Sequence, residues 1–214
     1  MRTNMKKLAV LVAVFSVAMF MAVASASSGG QTIHGEYAVV GSGQCAMAPF
    51  GINPTTLLPN PDPGGNSLSL SPGPLTYYDG VYKFSPNGRG SASLTGKGFT
   101  SAPPDFLVGG WVQKWQFHFK YTVEDGAITF TTIQGSDTST TIAGPGAGGP
   151  EFQLSTGPQG GNISPDGNIL LIHCGAPVRI SIENATLFEL PEAAELLCNI
   201  NLNGFKQWPR KGLR

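Results

Sequence analysis

The segment Trp115–Glu124 alternates without a break. Trp115, Phe117, Phe119, Tyr121 and Val123 fall on one face, and Gln116, His118, Lys120, Thr122 and Glu124 on the other. Side chains alternate along a strand but recur every ~3.6 residues on a helix, so this run is a β-strand with one apolar face. Asp125-Gly126 follows, and Ala127–Ile133 is strand-like again. Asp-Gly between two such runs predicts a tight hairpin, because Gly supplies the positive φ that the turn needs. A chain carrying this hairpin has to bury a broad aromatic face against further strands.

The same grammar recurs along the chain. Ile33, Gly35, Tyr37 and Val39 alternate with His34, Glu36 and Ala38, and Gly80, Tyr82 and Phe84 with Asp79, Val81 and Lys83. Pro86-Asn87-Gly88 turns the latter run into Gly90–Gly98, and Pro165-Asp166-Gly167 leads into Asn168–Cys174. Val178, Ile180 and Ile182 alternate with Arg179, Ser181 and Glu183. A last strand is expected over about 198–205, and weaker ones near 137–143 and 151–155. With 29 Gly and 17 Pro the chain is rich in turn residues, and no βαβ pattern appears. The fold class predicted is all-β: an antiparallel up-and-down barrel of about eight to ten strands, with a sandwich as the alternative. One short helix is expected near the C-terminus, Pro191–Leu197, with Pro191 at its first position and Glu192 in its first turn. Residues 46–76, Pro-rich and poor in charge, are expected as a long loop, and 143–150 as a flexible connector.

Lys6-Lys7, an apolar run and Ala24-Ser25-Ala26 have the form of a secretory signal peptide over residues 1–26, followed by a barrel domain over 27–205 and a basic tail over 206–214. Cleavage leaves 188 residues, and losing Arg2, Lys6 and Lys7 takes 13 basic residues to 10 against 13 acidic ones, a net of −3. Four of those ten are Lys206, Arg210, Lys211 and Arg214, so the body is acidic, which argues against nucleic acid as a partner. No stable membrane anchor follows the leader. The expected location is periplasmic or secreted, where cysteines oxidise. In a closed meander the first and last strands are neighbours, which pairs Cys45 with Cys198; Cys174–Cys198 is the alternative.

Chemical motifs are weak. Gly144-x-Gly146-x-x-Gly149 has dinucleotide spacing, but Pro150 and a strand-like segment follow where a helix N-terminus would be needed. His34 and His118 lie on polar strand faces, and His173 and Cys174 point to opposite faces, so no metal site is predicted. Asp79, Asp125 and Asp166 each precede Gly and read as turn residues rather than paired catalytic carboxylates. No catalytic residue and no cofactor is assigned. The remaining constellation is aromatic: Tyr37, Tyr82, Phe84, Trp115, Phe117, Phe119 and Tyr121 converge inside a closed barrel, where they either fill a core or line a site for one small apolar or aromatic ligand.

Gly35-Glu36-Tyr37, Cys45-Ala46-Met47-Ala48-Pro49, Asn87-Gly88-Arg89-Gly90 and Ser164-Pro165-Asp166-Gly167 resemble a group of uncharacterised bacterial secreted proteins. These are similar in layout to lipocalin-like and allene-oxide-cyclase-like barrels, with Gly-x-Tyr where lipocalins have Gly-x-Trp. The resemblance implies a closed secreted barrel and transfers no catalytic residue. Binding one small hydrophobic ligand in the lumen is the leading functional expectation. A cyclase- or isomerase-like enzyme, a surface-interaction module with a filled core, and a small outer-membrane barrel are the alternatives.

Overall fold

The computed structural model describes residues 33–68, 70–100, 109–144, 146–173 and 177–208. These form eleven strands: β1 (Gly35–Ala48), β2 (Ser71–Ser85), β3 (Arg89–Thr100), β4 (Gly109–Glu124), β5 (Ala127–Thr132), β6 (Asp137–Ala143), β7 (Phe152–Thr156), β8 (Gln159–Ile163), β9 (Ile169–His173), β10 (Val178–Ile182) and β11 (Glu195–Lys206). Neighbours run in the order β1-β2-β3-β4-β5-β8-β9-β11, and β11 pairs back onto β1, closing an eight-stranded antiparallel barrel.

The other three strands close a second ring. β4 pairs with β5 through Phe119–Glu124 and with β6 through Val112–Gln116. β11 pairs with β9 through Asn201–Phe205 and with β10 through Glu195–Cys198. β7 joins β6 to β10, so β1-β2-β3-β4-β6-β7-β10-β11 is also a closed circuit of eight strands. Strand length explains the fork. β1, β2, β3, β4 and β11 have 12 to 16 residues, whereas β5 to β10 have 5 to 7. One short strand covers only half the height of a long one, so two tiers of three stand on one another. We call the β5-β8-β9 tier lower and the β6-β7-β10 tier upper.

The interior is built on a size contrast. The inward positions of β3 are Gly90, Ala92, Leu94, Gly96 and Gly98, between the rings of β2 and those of β4. A Cβ on Gly90 would lie 2.3 Å from the Phe119 ring, and one on Gly98 2.4 Å from that of Trp111. The small strand thus gives its space to the aromatic ones. Cys45 and Cys198 stand opposite each other in the β1–β11 ladder and form a disulfide, as strand closure predicts.

Several sequence expectations are corrected. Residues 191–197 are not a helix. A turn, with Ala194 N–H donating to the Pro191 carbonyl, leads into β11. Glu195–Leu197 pair on one side with Ala46–Ala48 and on the other with Arg179–Ser181, so a helix there would forfeit two ladders. The helical element among the described residues is a 3-10 turn at Ala185–Phe188. The meander is not simply up-and-down, since β6, β7 and β10 leave the main circuit. The loop expected over 46–76 spans only 49–70: Ala46–Ala48 end β1, and residues 71–75 of β2 pair with β1 alone, an edge where proline is tolerated. The last strand extends to Lys206, into the expected tail. The leader over 1–26, Cys174 and the remaining basic side chains of the tail lie outside the described residues.

The disulfide joins positions 153 residues apart, nearly the whole folded unit. Cross-linking so long a loop restricts the unfolded chain, with typical gains of about 2–5 kcal/mol. The double variant Cys45→Ala/Cys198→Ala is expected to lose stability in that range, read as a lower urea midpoint at unchanged slope.

Candidate functional site

The seven predicted lining residues all point inward, each 0–8% exposed. They touch one another, with Phe130 of β5 among them: ring centroids lie 4.9 Å apart for Trp115–Phe117, 5.4 Å for Tyr37–Phe84 and for Phe84–Phe119, and 5.3 Å for Phe119–Phe130. Several pairs are edge-to-face, the arrangement that ring quadrupoles favour. Their polar atoms turn to the protein. Tyr37 donates to the Gly167 carbonyl at 2.5 Å. The Tyr121 hydroxyl lies 2.6 Å from the Ile33 carbonyl and 2.8 Å from that of Ser85. These contacts tie the lower end of the barrel across strands. Burial raises both phenols above the ordinary tyrosine value, and for Tyr37 the charges of Tyr121 and Asp166 push the same way.

At the fork sits a buried acid that the pattern of the sequence did not single out. Asp137 opens β6 and is 1% exposed. Its carboxylate accepts from Trp115 Nε1 at 2.6 Å and from the Thr156 hydroxyl. One carboxyl therefore links β4, β6 and β7 where the wall divides. Burial lifts it above the ordinary aspartate value. The bonds from Thr156 and Trp115 oppose that shift, and the charge of Glu183 adds to it.

The two clefts described in the structure lie outside the barrel and share Arg179, Ser181 and Glu195. Neither is lined by any of the seven aromatic residues. Arg179 Nη2 donates to both oxygens of Glu195, at 2.7 and 2.9 Å; Ser181 Oγ donates to Oε1 at 3.1 Å and Ile52 N–H to Oε2 at 2.7 Å. Glu195 thus fastens the β1–β2 loop to the wall. One cleft, about 260 Å³, opens between this cluster and Phe50, Gly51 and Asn60; the other, about 440 Å³, runs past Ser155, Gly157, Pro158 and Pro177. Arg179 Nε is buried there without an acceptor.

The other motifs are placed as follows. His34 and His118 are exposed on the outer face, and His173 Nε2 lies 2.7 Å from Asn162 Nδ2. Among the described residues no three His, Cys, Asp or Glu are grouped to hold a metal, and no helix is long and apolar enough to cross a membrane. Asp125 and Gly126 take positive φ in a turn, and Asp166 accepts from Ser164 and Asn168 in another. Those bonds hold the Asp166 carboxyl below its ordinary range. Asp79 is not a turn residue. It lies within β2 and pairs with Lys97 at 3.0 Å across the strand ladder. Gly144, Gly146 and Gly149 belong to the β6–β7 connection, with a strand rather than a helix after them.

No protein-family model matches this chain, and no curated protein sequence does. Among solved structures, Neisserial surface protein A (NspA) superposes with a TM-score of 0.45 at 7% identity, over 83% of this chain and 100% of that one. At that score the likeness carries no argument, and no lipocalin-like relative emerges. The barrel rests on the strand pairing of this chain itself.

Because the folded-state value of Asp137 is raised, its contribution favours the fold most below about pH 4, the ordinary carboxyl range. That increment is lost as pH rises through the folded-state value. Asp137→Asn can still accept from Trp115 and donate to Thr156, and is expected to remove this slope from a series of unfolding curves taken upward from about pH 4. Asp137→Ala leaves Trp115 Nε1 buried without its acceptor and should cost about 1–3 kcal/mol. On the outer wall, Glu195→Ala is expected to speed limited proteolysis of the 53–66 stretch about tenfold, since the loop loses its fastening at Ile52.

Proposed function

We propose that the protein is an extracytoplasmic β-barrel with a filled core that acts as a binding module through its outer surface. The observation that carries this reading is the occupancy of the interior by the protein's own rings, while both clefts open outside around Arg179, Ser181 and Glu195. The disulfide supports an oxidising compartment. The leader over 1–26 agrees with it. A polar outer wall, with Lys97, Lys114, Gln116, His118 and Lys120 facing away from the core, supports a barrel that folds in water.

The lumen-carrier reading is the rival, and a fluorescent hydrophobic probe separates the two. The detergent-free protein is titrated with 1-N-phenylnaphthylamine, and the tyrosine and tryptophan emission is followed. A filled core gives no saturable uptake and no quenching of the buried rings. Stoichiometric uptake that Tyr82→Trp or Phe117→Trp blocks would overturn the proposal and restore a ligand to the lumen.

A further inference from the structure

Basic side chains are not spread evenly around the barrel. Among the described residues five of the seven Lys and Arg, namely Lys83, Arg89, Lys97, Lys114 and Lys120, stand outward on β2, β3 and β4. In the upper circuit β10 is the strand across from β3, and acids gather there. Glu183 follows β10, Glu189 and Glu192 lie in the connection, and Glu195 opens β11. The chain as a whole has 13 acids and 13 bases, so one flank is positive because the charges are separated, not because bases are in excess.

The β3–β4 ladder makes a strip along this flank. Arg89 stands directly opposite Lys120 and Thr95 opposite Lys114, with Ser91–His118 and Ser93–Gln116 in the rows between. Like charges directly opposite weaken an antiparallel pair, so fold stability alone gives no reason for Arg89 and Lys120 to meet. Neither they nor Lys114 belong to an ion pair among the described residues. The acids at the margins are engaged: Asp79 by Lys97 at 3.0 Å and Glu36 by Lys83 at 2.7 Å, while Glu151 accepts from Thr140 at 3.1 Å. Glu124 ends β4, four residues and about 14 Å beyond Lys120. Cations that face one another unmatched suit a partner that brings the anions.

The middle of the strip selects that partner. Between the Arg89–Lys120 row and Lys114 the outward side chains are Ser91, Ser93, Gln116 and His118, which exchange hydrogen bonds with hydroxyl groups. No Phe, Tyr or Trp stands among them for bases to stack on, as single-stranded nucleic acid requires. No aliphatic side chain stands among them to enter a bilayer. Acid groups spaced along an extended, hydroxyl-rich polymer match both the ends and the middle. We propose that the β3–β4 strip binds an anionic polysaccharide, with its carboxylate or sulfate groups on Arg89, Lys120 and Lys114 and its hydroxyls on Ser91, Ser93 and Gln116. Lys114 and Lys120 are six residues apart, about 20 Å along the strand, so the polymer lies lengthwise on β4. Neither cleft belongs to this face. Failure here leaves the filled-barrel reading standing, and uptake of the hydrophobic probe would remove that reading without touching this one.

The test is isothermal titration of the full mature chain with polygalacturonate and with dextran sulfate, against neutral dextran. Saturable binding is expected to at least one of the two anionic polymers and not to dextran, and it should weaken as salt is added. Arg89→Gln, Lys114→Gln and Lys120→Gln should each weaken it about threefold. Lys120→Glu separates this role from a structural one. It puts an acid opposite Arg89, so the urea midpoint should rise while binding falls more than about tenfold. Binding to neutral dextran, binding to neither anionic polymer, or affinities that ignore Arg89→Gln and Lys120→Gln would overturn the proposal. So would tighter binding to oligothymidylate or to phosphatidylglycerol vesicles, which would assign the strip to nucleic acid or to lipid. A Lys120→Glu chain less stable than its parent would do the same, because the like-charge pair would then serve the fold.

Discussion

The mismatch between five long strands and six short ones governs this molecule. β4 and β11 each have to change partner partway along, and at each change a ladder stops while polar backbone groups remain inside the wall. The seam repairs itself locally. Ile133 N–H donates to the His118 carbonyl at 2.8 Å, His118 N–H to Ser136 Oγ at 3.0 Å, and Gly157 N–H to the Arg179 carbonyl at 2.9 Å. Asp137 is the side-chain part of the same repair. Its two bonded oxygens face β4 and β7, the strands that no ladder joins directly. Leaving those donors unpaired would cost about 1–3 kcal/mol each, enough to explain a carboxyl so far from water.

Closure at eight strands also fixes what the inside can hold. An interior of that size is just filled by side chains or takes one small ligand, and the choice falls to their volumes. With Gly, Ala and Leu inward on β3, there would be room for a ligand if β2 and β4 carried medium-sized residues. They carry Tyr82, Phe84, Trp115, Phe117 and Phe119 instead, and those rings occupy the space above the small strand. The hydroxyls of Tyr37 and Tyr121 then bond the carbonyls of Gly167, Ile33 and Ser85, which rigidifies the lower end. The same aromatic set that suggests a binding lumen packs as the core, and the two described clefts lie instead around Arg179 and Glu195.

Ten residues of period two made β4 legible, and its Asp-Gly turn made β5 legible. The apolar face came with them, and closure paired Cys45 with Cys198. The fork was not legible. Five-residue strands such as β8 and β10 carry only three inward positions, and nothing in so short a pattern names the partner. Pro191-Glu192-Ala193-Ala194 has strong helix signals, yet the following residues have two strands to pair with, and tertiary pairing overrides the local preference. That error also hid Glu195. Asp137 was hidden because alternation only set it at the start of a weak strand near 137–143, and its burial shows only in the packing with Trp115 and Thr156. Arg179 could be placed on the polar side of β10 from alternation alone, but not beside a carboxylate sixteen residues later.

Both flanks of the cylinder limit its contact with lipid. A Lys or Arg facing hydrocarbon at mid-depth costs about 2–4 kcal/mol in a membrane barrel. The β3–β4 wall presents Lys97, Lys114 and Lys120 together with His118 and Glu124, so embedding the whole cylinder would meet that cost several times over. The β9-β11-β1-β2 wall carries one apolar row, Ile169, Phe205, Ala38 and Val81, and the next row already holds Asn203 and Asp79, so that flank offers no continuous apolar band either.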